Sequence, residues 1–279
     1  MELNWLQSLL LGLISGLADI LPVSAYAHRI VFLKVFGENS DPVALRLFIH
    51  LATIGALYFC CRNHIVRMTR AKQLAQVPKR RRKSPLDKRS LMDLSLLKTT
   101  LIPMVLAFFF FSKTSLLGSN LVFVAAFMII NGIILYIPQF FPGSNKDSSY
   151  LTRVEGLCLG LGGAAATVPG ISSVRASVSI GSICGMDKNY ALNMALLMNI
   201  PLNIGLVVYD VIDIMNGAMG NMSFGGIMGC MLAAAGAFAG VFLGIKLLRK
   251  IITSVDFSVF GYYSWGAALF TFILYLSAA

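Results

Sequence analysis

Long apolar runs separated by short polar segments make up most of the 279-residue chain. A helix that crosses the hydrocarbon core of a membrane needs about 20 mostly apolar residues. Runs close to this length predict six membrane-spanning helices, over residues 43–61, 95–111, 120–138, 190–209, 223–245 and 257–277. The pattern therefore predicts an all-α integral membrane protein.

Two further apolar stretches, residues 5–36 and 155–186, are each interrupted by a proline. Pro22 and Pro169 each remove a backbone donor and crowd the preceding helical turn, so a helix ends or kinks there. We expect each stretch to form two short helices that enter and leave the membrane on one side, as a re-entrant hairpin. The alternative is that the prolines only kink two continuous helices and that the nearby serines bond their own backbone.

The basic residues orient these elements. Residues 62–98 contain twelve Lys and Arg against two Asp, and a second basic patch lies at 246–250. Loops rich in Lys and Arg stay in the cytoplasm. Both patches share that side if residues 155–186 enter and leave on one face, whereas eight full spans would move one patch outside. Asp210 and Asp213 are then expected in an external loop.

Two interrupted segments in corresponding halves of a membrane chain indicate an inverted repeat. We predict a first repeat over residues 1–140 and a second over residues 150–279, in opposite orientations. Each repeat has one re-entrant hairpin and three spans, and residues 62–94 form a basic cytoplasmic loop. The tips of the two hairpins are expected to meet near the middle of the membrane.

Composition narrows the classes of function. Hydrophobic residues make up 57% of the chain and the mean hydropathy is +0.77, which is typical of a polytopic membrane protein. Most of the net charge of +11 comes from the one basic loop. That loop lacks the interleaved aromatic residues of a nucleic-acid site, so we expect no nucleic-acid partner. The five cysteines and three histidines show no metal-ligand spacing.

Polar residues inside the interrupted stretches are the candidates for chemistry. They flank the two breaks: Asp19, Ser24 and His28 around Pro22, and Arg175 after Pro169. Hydrocarbon offers no hydrogen bonds, so such residues persist where they face protein or a wet cavity. The half-helix that starts after each break presents backbone N–H groups and a positive dipole end, and both favour an anion.

Three patterns follow one another along the chain: GLxxGLxxxLPVSxxxH from Gly12, IHLATIGAL from Ile49, and PGxS from Pro169 before a helix ending in LLMNIP. Together they resemble the undecaprenyl-diphosphate phosphatase family of the bacitracin-resistance type, over most of the chain. The resemblance implies the inverted-repeat fold with re-entrant hairpins, in the bacterial plasma membrane. It also implies an enzyme that removes one phosphate from a C55 polyprenyl diphosphate and recycles the lipid carrier used in peptidoglycan synthesis.

Several positions depart from the family pattern. Ser15 stands where the family has the first of two acids, although the second acid is kept. Ala25 replaces the second of two consecutive serines, which is the nucleophile proposed for the family. Ser173 occupies the position of an arginine, with Arg175 two residues later, and Arg46 takes a place where the family usually carries an acid.

For an enzyme, these residues place a diphosphate between the hairpin tips. Ser24 is the predicted nucleophile or a positioning hydroxyl, and His28 is predicted to shuttle its proton. Asp19 is predicted to orient His28 or to hold a divalent cation, Mg²⁺ or Ca²⁺. The predicted phosphate-binding residues lie at the second break and on one span: Gly170, Ser172, Ser173, Arg175 and Arg46.

Two rival functions are open at this point. The altered motifs also suit a non-hydrolytic protein that binds polyprenyl phosphate and moves its head group across the bilayer by alternating access. A membrane scaffold or immunity protein would keep the fold without a ligand. The expected partners are a polyprenyl diphosphate or monophosphate and the bilayer, and a homodimer is a possible assembly.

His50 lies about one turn after Arg46. A structural pairing with a hydroxyl or carbonyl fits this residue as well as a functional role does.

Overall fold

A computed structural model describes residues 3–38, 41–82, 84–141, 145–218, 223–254 and 258–278. Within these ranges the chain folds into helices joined by short connections. The α-helices are α1 (Trp5–Ile20), α2 (Ala25–Val35), α3 (Val43–Gln76), α4 (Lys88–Phe108), α5 (Phe111–Leu116), α6 (Leu121–Tyr136), α7 (Arg153–Ala164), α8 (Ser173–Ile183), α9 (Lys188–Asp213), α10 (Phe224–Ser254) and α11 (Ser258–Ala278).

Six helices of the described chain, α3, α4, α6, α9, α10 and α11, are long and apolar enough to cross a membrane. Large apolar side chains stay exposed on their outward faces, for example Ile102 and Val105 on α4, and Phe270 and Ile273 on α11. Water disfavours such surfaces, whereas lipid accommodates them. The prediction of an all-α, multi-pass membrane protein is confirmed.

α3 is longer than its predicted span because it continues past residue 61 to Gln76. Met68 and Ala71 on this extension are buried, while Arg67 and Arg70 are exposed. A helix with one apolar face packed on the protein is stable outside hydrocarbon. The predicted loop 62–94 is therefore wrong over its first half, which is helical.

α4 also begins before its predicted span, at Lys88. Asp87 caps this helix, because its carboxylate accepts hydrogen bonds from the Ser90 hydroxyl at 2.6 Å and from the Ser90 backbone N–H at 3.0 Å. These two bonds stabilise the charged carboxylate and hold the pKa of Asp87 below its ordinary value. The cap satisfies a backbone donor that would otherwise be lost at the helix start.

The two interrupted stretches form pairs of short helices. Pro22 separates α1 from α2, and Pro169 separates α7 from α8. These helices have 16, 11, 12 and 11 residues, and at about 1.5 Å per residue each is shorter than a hydrocarbon core of about 30 Å. The prolines therefore divide the stretches into hairpins and do not merely kink continuous helices.

The two breaks contact each other in the protein interior. The Ser24 Oγ accepts a hydrogen bond from the Gly170 N–H at 3.1 Å, and the Ser172 Oγ donates to the Leu21 carbonyl at 3.3 Å. Gly170 has a φ of +113°, and a Cβ there would lie 2.6 Å from the Cβ of Phe127, so this position requires glycine. The inverted-repeat relation between the two halves stays a prediction.

Glycines bring each hairpin against a span that is distant in sequence. A Cβ on Gly12 or Gly16 of α1 would overlap the backbone of Ala233 or Ala237 on α10. In the same way, a Cβ on Gly160 of α7 would overlap the backbone of Thr100 on α4. Small residues let helix backbones approach this closely. The glycines on α1 and α7 therefore serve packing against α10 and α4.

We expect Gly16→Ala to destabilise the protein, because the added methyl group must push α1 away from α10. Overpacking of this kind costs about 1–3 kcal/mol. Gly266→Ala on α11 is the matched control, since a Cβ at Gly266 meets nothing within 4 Å and alanine favours a helix by about 1 kcal/mol relative to glycine. Thermal unfolding in detergent should give a lower midpoint for Gly16→Ala alone, and equal midpoints for the two variants would contradict this packing.

Candidate active site

An open cavity lies where the two hairpin tips meet α3 and α9. Its wall carries an unusual number of polar side chains for the interior of a membrane protein. The polar and charged residues that line it are Ser15, Asp19, Ser24, Tyr26, Arg29, Arg46, His50, Thr53, Ser115, Ser172, Ser173, Asn203 and Asp210. A concave site with convergent ionisable groups is the default candidate for binding or catalysis.

Two helix N-termini end at this cavity. Ser24 is the N-cap of α2 and Ser172 is the N-cap of α8, and both line the cavity. A hydrogen bond from a neighbouring helix holds Ser172 in place, because its backbone N–H donates to the Asn131 Oδ1 of α6 at 3.0 Å. The positive ends of two helix dipoles therefore meet at one place, which favours a bound anion.

Asp19, in the last turn of α1, is held by two amides of α9. The Asn199 Nδ2 donates to the Asp19 Oδ2 at 2.6 Å, and the Asn203 Nδ2 lies 3.5 Å from the same oxygen. Ser15, one turn earlier on α1, is buried, and its Oγ has no hydrogen-bond partner among the residues that the structure describes. The carboxylate is thus oriented by neutral donors, and an unused hydroxyl lies on the same face of the helix.

Arg46 and His50 of α3 bind the same acid of α9. The Arg46 Nε donates to the Asp210 Oδ1 at 3.0 Å, and the His50 Nδ1 lies 2.7 Å from the Asp210 Oδ2. The Arg46 Nη2 also reaches the Asp213 Oδ2 at 2.7 Å. These ion pairs join α3 to the end of α9 at the cavity wall.

The expectation that Asp210 and Asp213 lie in a loop is wrong, because both acids lie in α9, whereas their position on the external side stays a prediction. Asp210 is 2% exposed. A carboxylate at this depth persists because a cation and a ring N–H satisfy both of its oxygens. The span continues beyond residue 209 for that reason.

Arg29 was not predicted as a site residue, yet it is buried and lines the cavity. Its Nε donates to the Asp41 Oδ2 at 2.9 Å, and its guanidinium lies 5.5 Å from the centre of the Tyr26 ring. The Tyr26 hydroxyl in turn donates to the Ser115 carbonyl. Arg29 and Arg46 therefore both bring positive charge to the cavity, and each is paired with an acid.

The Ser24 hydroxyl has a structural role in this arrangement. Its oxygen accepts the Gly170 N–H at 3.1 Å and the Ala27 N–H at 3.3 Å. The hydroxyl oxygen has two acceptor positions, so both are used, whereas its hydrogen is left to donate. This geometry favours the positioning role predicted for Ser24 over the role of nucleophile.

His28 does not reach the Ser24 hydroxyl. Its Nδ1 lies 2.7 Å from the Ser24 carbonyl oxygen and its Nε2 lies 2.9 Å from the Tyr263 hydroxyl. The ring stacks on Tyr263 with 5.8 Å between the ring centres, in a separate apolar groove against α11. The spacing of four residues suggested a shared helix face, but Ser24 is the cap that precedes the helix and its side chain turns the other way.

The predicted phosphate-binding residues divide into two groups. Ser172, Ser173 and Arg46 line the cavity, whereas Gly170 and Arg175 do not. Gly170 lies at the hairpin tip, and Arg175 is 1% exposed within α8. The sequence correctly predicted the break in the helix at Pro169. It could not show which side of α8 faces the cavity.

Four cavity or supporting residues were missed: Arg29, Asn199, Asn203 and Asp210. Asn199 and Asn203 follow each other at four-residue spacing inside an apolar run, which places both on one helix face. Arg29 is a charge inside an otherwise apolar hairpin helix, and that alone marks a functional candidate. These signals were present in the sequence.

The fold and the cavity define a multi-pass membrane protein with a polar cavity between two helical hairpins. Residues 8–270 match the family described as bacitracin resistance protein BacA, and the chain belongs to that family. It is 28% identical over 273 residues, 96% of each chain, to a protein of Methanobrevibacter smithii named undecaprenyl-diphosphatase. Proteins with the same name from Nocardioides sp. and Carboxydothermus hydrogenoformans are 30% identical over 77% of each chain and 28% identical over 99% of each chain. The resemblance predicted from the motifs is confirmed.

Proposed function

We propose that this protein is a membrane phosphatase that hydrolyses undecaprenyl diphosphate to the monophosphate and inorganic phosphate, and so recycles a lipid carrier of cell-wall precursors. The observation that carries the proposal is the convergence of the α2 and α8 N-termini on one cavity that also holds Arg29 and Arg46. Phosphoryl transfer depends mainly on positioning and on charge neutralisation. The names of the relatives point to the same substrate.

The charges around the cavity constrain how a diphosphate is held. Arg29 is paired with Asp41, and Arg46 is paired with Asp210 and Asp213. Asp19 adds a further negative charge, so the acids already balance or exceed the arginines. A diphosphate therefore needs positive charge from the two helix ends and from a cation that it brings with it.

Asp19 fits such a cation. The described residues contain no group of three or more His, Cys, Asp and Glu side chains that could hold a metal by themselves. Mg²⁺ is commonly bound by one or two carboxylates together with substrate phosphates, and Asp19 supplies one carboxylate at the cavity. When bound, a divalent cation neutralises charge on the phosphate oxygens.

The protein groups have separate tasks in this proposal. The first turns of α2 and α8 bind the phosphate oxygens through backbone N–H groups. The Ser172 and Ser173 hydroxyls turn to the phosphate from the Leu21 carbonyl and the Asn199 Oδ1, to which they donate without ligand. The Ser24 hydrogen donates to a phosphate oxygen while its oxygen holds the two hairpins together. Arg46 turns from the more exposed Asp213 toward the phosphate as the ligand enters.

The test is phosphate release by the purified protein in detergent, with undecaprenyl diphosphate as substrate. We expect release in the presence of Mg²⁺ or Ca²⁺ and a loss of release with a chelator. Asp19→Asn should reduce the rate and raise the divalent concentration needed for half-maximal activity. Arg62→Ala, on the exposed part of α3, is the control and should behave as the parent. No release by the parent under any of these conditions would contradict the proposal.

A second candidate is a non-hydrolytic protein that binds and moves polyprenyl phosphate. It is favoured by the position of His28, which lies away from the Ser24 hydroxyl, and by the alanine at residue 25. The same preparation separates the two functions. Binding of undecaprenyl phosphate without phosphate release, together with its transfer between leaflets of a vesicle, would support the carrier.

A further inference from the structure

His50 and Asp210 form a buried pair in the cavity that the proposed function has not used. The Nδ1 of His50 lies 2.7 Å from the Asp210 Oδ2, and the two residues are 7% and 2% exposed. His50 comes from α3 and Asp210 from α9. Both line the same cavity as Asp19, Ser24 and Ser172.

The contact fixes the chemical form of the His50 ring. An ionised carboxylate only accepts hydrogen bonds, so the Nδ1 must carry the proton that lies between the two groups. In the neutral ring the Nε2 then has a free lone pair. No hydrogen bond joins Nε2 to a group in the described part of the chain, and the side chain lines the cavity. A histidine held by a carboxylate in this way is a suitable proton acceptor.

Other groups in the cavity are less suited to accept a proton. Ser24 has both acceptor positions occupied by backbone N–H groups. The Asp19 Oδ2 is held by the amides of Asn199 and Asn203. His28 is bonded to the Ser24 carbonyl and to Tyr263, outside the cavity. His50 is the histidine of the described chain that lines this cavity.

A purely structural role explains the pair less well. Arg46 already bonds both Asp210 and Asp213, so Asp210 has a cationic partner without His50. The His50 Nδ1 satisfies the second oxygen of Asp210, and a side chain with a single donor would do the same. What the histidine adds is its Nε2, which that contact does not use, on a side chain that lines the cavity.

We propose that His50 is the general base for hydrolysis in this protein, with Asp210 as its positioning residue. This inference rests on the proposed phosphatase function. A water molecule attacks the terminal phosphorus of the diphosphate while its proton passes to the His50 Nε2. The bond from the terminal phosphorus to the bridging oxygen breaks, and that oxygen leaves with its electron pair as part of the lipid monophosphate. The Nε2 proton then returns to solvent or to a product phosphate, and no external reactant besides water is needed.

The experiment compares the parent with His50→Gln, using undecaprenyl diphosphate and purified protein in detergent. We expect kcat to fall by about 10²–10⁴-fold, which is the usual contribution of a general base, while KM and the thermal midpoint stay within about two-fold and a few degrees of the parent. His64→Gln is the matched control, because His64 lies on the extension of α3, away from the cavity, where it contacts Arg67. It should keep the parental kcat.

Chemical rescue distinguishes a general base from a residue that only holds α3 to α9. Added imidazole should raise the activity of His50→Ala at least ten-fold, because it can take the place of the missing base. If His50 only holds α3 to α9, added imidazole should leave that activity unchanged.

The outcomes distinguish a failure of the His50 assignment from a failure of the proposed phosphatase function. A parent that releases phosphate while His50→Gln keeps kcat within three-fold would refute the role of His50 and leave the phosphatase function intact. A parent without phosphate release would refute both. If His50→Gln does not fold, His50→Asn replaces it, because its amide keeps a donor near the position of Nδ1 and removes Nε2. Loss of activity in a folded His50→Asn supports the proposal, and retained activity overturns it.

Discussion

Arg46→Ala is expected to lower the free energy of unfolding by about 3–5 kcal/mol, because it removes one partner from a buried ion-pair cluster. Asp210 would keep only His50, and Asp213 would lose the only ion-pair partner that the structure gives it. Phosphate release should also be lost, since the α3 and α9 wall of the cavity depends on these contacts. Denaturant unfolding in mixed micelles measures the stability change.

The control is Arg62→Ala, which removes an exposed arginine from the same helix and should change stability by less than about 0.5 kcal/mol. Arg46→Ala combined with Asp213→Ala should recover part of the loss, because it removes the acid that the first change leaves unpaired. If Arg46→Ala unfolds at the same denaturant concentration as the parent, the cluster does not hold α3 to α9.

Ser24→Ala is expected to weaken both stability and activity. It leaves the buried Gly170 N–H without its acceptor, which costs about 1–3 kcal/mol, and it uncaps α2, which costs about 1 kcal/mol. Phosphate release should fall steeply because the two helix ends that bind the phosphates lose their connection. Ser24→Thr keeps an oxygen at this position and should retain most of both properties.

Ala25→Ser tests what the altered motif has lost. Ala25 lines the cavity, and the family pattern has a serine there, so we expect the added hydroxyl to raise the rate of phosphate release above that of the parent. A carrier would show no release in the parent or in Ser24→Ala, and at most a trace in Ala25→Ser.

The contacts assigned to Ser24 have their own contradicting outcome, which is a Ser24→Ala protein that keeps the stability and turnover of the parent.

Much of the fold follows from the sequence because the controlling interactions are local. A proline inside an apolar run ends a helix whatever surrounds it, so Pro22 and Pro169 correctly divided the two hairpins. The ends of the spans were less predictable. The extension of α3 to Gln76 depends on Met68 and Ala71 finding an apolar surface in the folded protein, and no local pattern reports that surface.

The site was harder to predict because its charges are paired across the whole chain. Asp210 was predicted to lie in a loop, because an acid at the end of a span normally faces water. It lies in a helix instead because it pairs with Arg46, which is 164 positions away in sequence. For His28 the error was the opposite one, because a partner close in sequence was predicted and the structure does not show it. Its spacing from Ser24 suggested a partnership, but the capping geometry of Ser24 turns the hydroxyl toward Gly170, in the other hairpin.

The contact between α1 and α10 has a consequence for how the protein is made. Residues 21–223 separate α1 from α10, so α1 leaves the ribosome well before the backbone surface that Gly12 and Gly16 need. The glycine face of the first hairpin therefore lacks its partner until α10 has been made. A chain cut short before α10 could not form this contact, and its first hairpin would keep an unpacked surface of the kind that favours misassembly.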